Sequence, residues 1–225
     1  MATYNYYILT SLPALEENEK PPVTPLELLE KVQQSGGPAE LISAIILQDD
    51  LTKMYALKSG EIEEAEFAVL TDEQAGEEEA LPEYLEIQQD DKRKAPEDTL
   101  WQRYFEFADE TAERFRSSFT KKWLKFEISL RNGLTEARAK KLKYDTSDYL
   151  LCKDLFYDSD DVKSIVDEWS AAPNPLAGFE VLEKARWQWL NENDNWFTFS
   201  DNELAAYTAK LLLLDRKSRL SRSSE

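Results

Sequence analysis

From Trp101 onward, large or small apolar side chains return every three or four residues: Trp101, Tyr104, Phe105, Ala108, Ala112, Phe115, Phe119, Trp123, Phe126, Leu130, Leu134 and Ala137. That period lines one side of an α-helix. It predicts helix over 97–143, longer than an ordinary globular helix. The stretch is therefore either one long helix or two joined near Ser117–Ser118. Gly133 inside it is either a tolerated interior glycine or a place where another helix crosses closely.

The same spacing recurs upstream in Leu41, Ala44, Ile45, Gln48, Leu51 and Tyr55, which predicts a helix over 39–58 with Gly60 as its terminator. Before it, Thr24, Pro25 and Glu27 read as a capped helix start, and "SGGP" breaks that helix at Gly36 and Gly37. Tyr4 to Pro13 is apolar and aromatic and stops at proline. It reads as a short extended segment packed on helices, or as a strand, although no partner strand is evident.

The last third is helical again. A short helix is expected over Leu150–Tyr157 and another over Asp160–Ala171. Asn174 and Pro175 start the helix carrying "FEVLEKARWQWLNEN". Ser200 and Glu203 form a second capping-box pattern ahead of "AAYTAKLLLLDRKSRL". Alternating strand patterns are scarce, so the fold class expected is all-α, a helical bundle with a short extended N-terminal segment. No heptad repeat persists, which disfavours a simple coiled coil.

Charge adds a division into segments. Gly60 to Asp91 holds thirteen acids and no lysine or arginine, and "DDKRKAPED" then reverses sign. Three regions follow: an N-terminal helical lobe (1–60), an acidic linker or insertion (61–95) and a C-terminal helical lobe (96–225). The acidic stretch is either a solvated, partly flexible segment or a docking surface for a basic protein. Over all 225 residues, 45 acids face 27 bases, a net charge of −18. Such a chain repels phosphate backbones and anionic lipid surfaces, so no nucleic-acid partner is expected.

Candidate chemistry is narrow. Hydrophobic residues make up 42% of the chain, enough for a core. The single cysteine, Cys152, cannot form an intrachain disulfide, and with no histidine neither a Cys/His zinc site nor a Ser-His or Cys-His nucleophile pair can be built. A histidine-bearing di-metal bundle is excluded in the same way. No cofactor and no enzymatic activity are expected. The opening residues lack the pattern of a secretory leader, and the longest apolar run near the end, "KLLLLD", is too short to insert in a membrane. A reducing cytoplasm suits the composition.

Two carboxylate–cation pairs lie one helical turn apart, Asp49 with Lys53 and Glu127 with Arg131. Each can form a same-helix ion pair. The Glu127–Arg131 pair is either solvated or a buried bridge to another helix, with Arg138 able to join by reaching an acid nearby. Trp187, Trp189, Trp196, Phe197 and Phe199 form a dense aromatic group, either core or a partner hot spot. Trp187 and Trp189 are two apart and cannot share a narrow helix face, so one of them is a candidate partner contact. The basic end of the chain, with Arg216, Lys217 and Arg219, is a second candidate contact.

"FTKKWLKFEISLRNGLTEARAKKL" resembles the helical core of the C-type subunit of V-type ATP synthases, the counterpart of the vacuolar d-type subunit. The resemblance is carried by Glu127, Arg131, Asn132 and Arg138, followed by Ala139, Lys140, Lys141 and Leu142. "ILQDDLTKMYALKSG" looks like the equivalent segment of a preceding repeat, and the closing "LEKARWQWL" to "DRKSRL" is similar to the family's last helices. A narrower likeness is to a bacterial family of unassigned function encoded in V-type ATP synthase operons, in the opening "YYILTSLPAL" and the closing "AAYTAKLLLLDRKSRL". The chain is shorter than a full three-lobed member of the C-type family, so one lobe is expected to be missing or reduced.

The resemblance implies a bundle of helical repeats like those of the C-type family, with a mechanical task. It implies a non-catalytic cytoplasmic subunit or accessory factor, peripheral to the inner membrane, that joins the central stalk to the membrane rotor ring in ion or proton transport. The other reading is a free-standing acidic helical adaptor that binds a basic protein.

Overall fold

The computed structural model describes residues 3–87, 96–146, 149–155 and 159–222. The helices are α1 (Thr3–Ser11), α2 (Pro25–Gln34), α3 (Ala39–Ser59), α4 (Asp72–Ala75), α5 (Pro96–Arg114), α6 (Ser118–Leu142), α7 (Asp160–Ala171), α8 (Pro175–Asn193) and α9 (Asp201–Arg222). A 3-10 turn, Glu83–Leu85, stands between α4 and α5. Among the described residues the fold is all-α, with no strand.

Local signals place most of the ends. Thr24 Oγ1 accepts from the Glu27 amide, and the Glu27 carboxylate accepts from the Thr24 amide, closing the box in both directions. Gly60 ends α3 in the left-handed conformation, φ 73°, which only glycine adopts without strain. Ser159 and Asn174 cap α7 and α8. The long central stripe is two helices. Arg116 turns left-handed (φ 52°) and Ser117 caps α6. Asn202 pins the junction, its Oδ1 accepting from the Ser117 hydroxyl at 2.9 Å and from the Phe119 amide at 3.2 Å.

Several expectations are corrected. The N-terminal segment is helix α1, not extended. Tyr4 and Ile8 lie one turn apart and pack into the core, and Asn5 Nδ2 donates to Asp201 at 2.6 Å. Burial against α9 overrides the strand preference of its aromatic and β-branched residues. The expected helix over Leu150–Tyr157 is a turn through Leu155, and Tyr157 lies outside the described residues. At α9, Ser200 Oγ accepts from the Glu203 amide, but Glu203 reaches further back, accepting from the amides of Phe197 and Phe199.

The apolar interior has two centres. One gathers Ile8, Leu28, Ile42, Ile46, Trp123, Phe126, Leu130, Trp187 and the Leu211–Leu214 run. The other gathers Leu47, Leu51, Met54, Leu85, Trp101, Tyr104, Phe105, Leu124 and Ile128. Helices α3 and α6 contribute to both, so they are the shared wall between the centres.

The acidic stretch belongs to the second centre. Asp50 accepts from the amides of Ala68, Val69 and Leu70, and Lys53 Nζ donates to the Glu66 carbonyl at 2.8 Å. Leu70 and Leu85 are buried, and Tyr84 stacks on Phe107 with ring centroids 4.0 Å apart. Residues 61–87 are thus strapped to α3 and α5 while most of their carboxylates face solvent. The expected sign-reversing linker falls largely on 88–95, outside the described residues. No described helix is long and apolar enough to cross a membrane.

Gly133 marks a close crossing. An added Cβ there would stand 3.0 Å from Val166 Cγ2 and 3.6 Å from Val162 Cγ1, on α7.

Candidate functional site

Asp49 on α3 and Glu127 on α6 are buried where the two helices meet α8 and α9. Glu127 on α6 is only 4% exposed. Its partner is Arg186 on α8, with Nε to Oε1 at 2.7 Å and Nη2 to Oε2 at 3.2 Å. This two-point geometry is the strong form of a guanidinium–carboxylate pair. Gln48 on α3 adds a third hydrogen bond to Glu127 at 3.2 Å. Arg186 also reaches Glu183 at 3.0 Å, and Glu183 takes Arg216 of α9 at 3.3 Å.

A second set lies beside it. Asp49 on α3 pairs with Lys53 at 2.9 Å and with Arg219 of α9 at 2.6 Å, and Arg219 also reaches Asp215 at 3.1 Å. Together the two sets form a ladder of ion pairs crossing from α3 and α6 to α8 and α9.

The electrostatics follow from burial and partners. Burial pushes the Asp49 carboxyl up, but Lys53, Arg219 and Arg216 together outweigh it and hold the group below its ordinary value. Asp50 moves the other way: burial raises it, and the amides of Leu70, Val69 and Ala68 only partly offset that. Burial pulls Arg186 down, yet Glu127 and Glu183 more than compensate and raise it.

The expected Asp49–Lys53 pair therefore forms and is buried, whereas the expected Glu127–Arg131 pair does not. Arg131 points to the other side of α6. It stacks on Trp101, 4.6 Å from the ring centre, and meets Asp98 at 3.5 Å. Asn132 is buried and clamps the turn before α7, donating to the Leu151 carbonyl at 2.8 Å and accepting from its amide at 2.9 Å. Arg138 is exposed and lies over Trp169 at 5.1 Å rather than on an acid of the ladder.

The expected contact residues are largely internal. Trp187 is 8% exposed. Trp189 packs in an aromatic stack with Phe126 at 5.2 Å, Trp123 at 5.3 Å and Phe119 at 5.9 Å. Arg216 and Arg219 are rungs of the ladder, and Lys217 Nζ donates to Asn18 on the surface. For all but the exposed Lys217 the reason is the same: the inward faces of α8 and α9 meet other helices. Exposed aromatics include Trp196 and Phe197, in the loop between α8 and α9, Tyr6 and Tyr7 on α1, and, elsewhere on the surface, Tyr84 and Tyr144.

Sequence reading missed Arg186, Glu183, Gln48 and Asp50 as polar partners. Glu183 and Arg186 stand three apart in a helix that also carries tryptophans, a pattern that many solvated helices share. The signal was the placement of charge on an otherwise apolar face, visible only once α6 supplies the facing carboxylate. Among the described residues no cluster of acidic and sulfur ligands is arranged to hold a metal ion. What the ladder can do is fix how four helices cross, because a slip of one turn would strand buried charges.

No curated protein and no solved structure matches the chain. The family model that matches, described as a protein of unknown function (DUF2764), covers residues 1–171, more than half of the 225 residues. The chain belongs to the DUF2764 family.

Proposed function

We propose that this chain is a non-catalytic subunit or accessory factor of a bacterial V-type ATP synthase, placed between the central stalk and the membrane rotor ring. One observation carries the reading: Glu127, in the stretch that resembles the C-type family, is the hub of the buried ion ladder joining α3, α6, α8 and α9. A part that carries torque has to resist rearrangement under load. Close-packed helices are stiff, and buried ion pairs penalise alternative crossings. The chain would sit on the cytoplasmic face, held through its partners, and would do no chemistry itself.

The test is co-expression with the central stalk subunits of the same organism's V-type ATP synthase, followed by gel filtration at moderate salt. A stoichiometric complex that is lost when the α6 face is disrupted supports the proposal. A folded chain that elutes alone, while the stalk assembles without it, overturns it.

A second reading is a free-standing adaptor for a basic protein. What favours it is the acidic strap, whose backbone is held by Asp50 and Lys53 while its carboxylates face solvent. Binding of a basic partner that is lost on neutralising the strap acids, with no stalk complex, would select this reading.

A further inference from the structure

An exposed aromatic belt runs from α1 to the loop between α8 and α9. Tyr7 meets Tyr6 edge-on at 5.7 Å, Tyr6 meets Phe199 at 5.0 Å, and Trp196 meets Phe197 at 6.0 Å. Phe197 is 77% exposed and Trp196 is 59% exposed. Rings of this size are usually covered, and the two ring groups come together at one groove that Trp196, Phe197 and Phe199 all line, so they mark a contact surface. Beside the belt is an open groove of about 190 Å3, floored by Leu9, Leu12 and Leu15 and walled by Trp196 and Phe199. That volume is below the range of roughly 300–1,000 Å3 usual for small-molecule sites. It suits one or two side chains.

The loop is held in shape. Glu203 accepts from the amides of Phe197 at 3.0 Å and Phe199 at 2.6 Å, and from the Thr198 hydroxyl at 3.2 Å. Lys210 is buried against Asp194 at 2.6 Å and sits 5.6 Å from the centre of the Trp196 ring. Phe197 and Phe199 adopt φ values of 58° and 49°. Bulky side chains seldom occupy that left-handed region, and such strain gathers at working surfaces. Here it turns the Phe197 ring outward, where it contributes no core packing.

Charge selects the occupant. Lys210 is neutralised by Asp194, Glu203 also lines the groove, and exposed Glu16 and Glu192 stand close to the lining residues in the chain. With a net charge of −18, a second copy of this chain is repelled and a basic segment is attracted.

We propose that this groove receives a short segment of a partner protein in which one or two large apolar side chains are flanked by lysines or arginines. The proposal stands whether or not the chain serves an ATP synthase.

The test is selection of a displayed library of random peptides on the full chain, with the Phe197→Gly chain as counter-selection. Glycine suits the left-handed backbone, so this variant keeps the fold while removing the anchor ring. Enriched peptides are expected to pair apolar anchors with basic flanks. They should lose about tenfold or more in affinity on Phe197→Gly and on Trp196→Ala. Raised salt should weaken them further. Three results would overturn the proposal: no enrichment over the Phe197→Gly chain, enriched peptides with acidic flanks, or a dimer in sedimentation that Phe197→Gly dissolves. The last would make a second copy the occupant.

Discussion

Glu127 and Arg186 hold each other at two points inside the molecule, and neither can be removed alone without leaving a buried charge. Glu127→Ala is expected to destabilise by about 3–5 kcal/mol in urea unfolding, whereas Glu127→Met combined with Arg186→Leu should recover most of that loss. A single change costing under about 1 kcal/mol would mean the pair is solvated. Asp49 gives a pH-dependent companion. Its folded-state value lies below the ordinary 3.8, so its contribution is present above pH 3.8 and is lost as pH falls through the lower folded value. The stability gap between the native chain and Asp49→Asn should therefore be widest near neutrality and shrink below pH 3.8. At Phe197, φ 58° strains the backbone and the ring covers little. Phe197→Gly should leave the melting temperature unchanged or raise stability by up to about 1 kcal/mol, as the relieved strain offsets glycine's entropy.

Among the elements, α6 is the one whose fit to its neighbours can be probed at two points. Gly133→Ala would push a methyl to 3.0 Å from Val166 Cγ2, a stiff branched side chain that is itself buried. Overpacking costs about 1–3 kcal/mol and the gain in helix propensity returns at most about 1 kcal/mol, so a net loss near 1 kcal/mol is expected by thermal unfolding. In a Val166→Ala background the same change should become stabilising. Asn132→Ala should expose the Leu151 amide to hydrogen exchange well before the helices open, because both of its bonds to that residue vanish. Much at this scale was legible. The Thr24 box, the Gly60 stop, the helix over Asp160–Ala171 and the start at Asn174 are short-range signals that the backbone obeys, and of the two readings of the long stripe the backbone takes the one that breaks at Ser117. The helix at Thr3–Ser11 was not legible, because its aromatic composition favours a strand and only α9 decides otherwise. The partner of Glu127 was not legible either. Arg131 is near in sequence, but Arg186 is 59 residues away and is brought close only by the packing of α8 on α7 and α9.

For the whole molecule, all-α architecture follows from the recurrent apolar period and the scarcity of strand signals, and that reading agrees with every described element. The strapping of the acidic stretch does not follow from composition: thirteen acids between Gly60 and Asp91 suggest solvation, while a few apolar residues, Leu70 and Leu85 among them, anchor it. The ladder also crosses the limit of the family match. Glu127 and Asp49 lie within residues 1–171, whereas Arg186, Arg216 and Arg219 lie beyond it, so the two portions are tied by buried charge. That arrangement suits a body that must move as one piece. Deleting the gene and measuring ATP-driven ion pumping against ATP hydrolysis in membrane vesicles tests the proposed placement most directly. Pumping lost while the soluble head still hydrolyses ATP is the predicted result. Full pumping by an intact complex without the chain would contradict it.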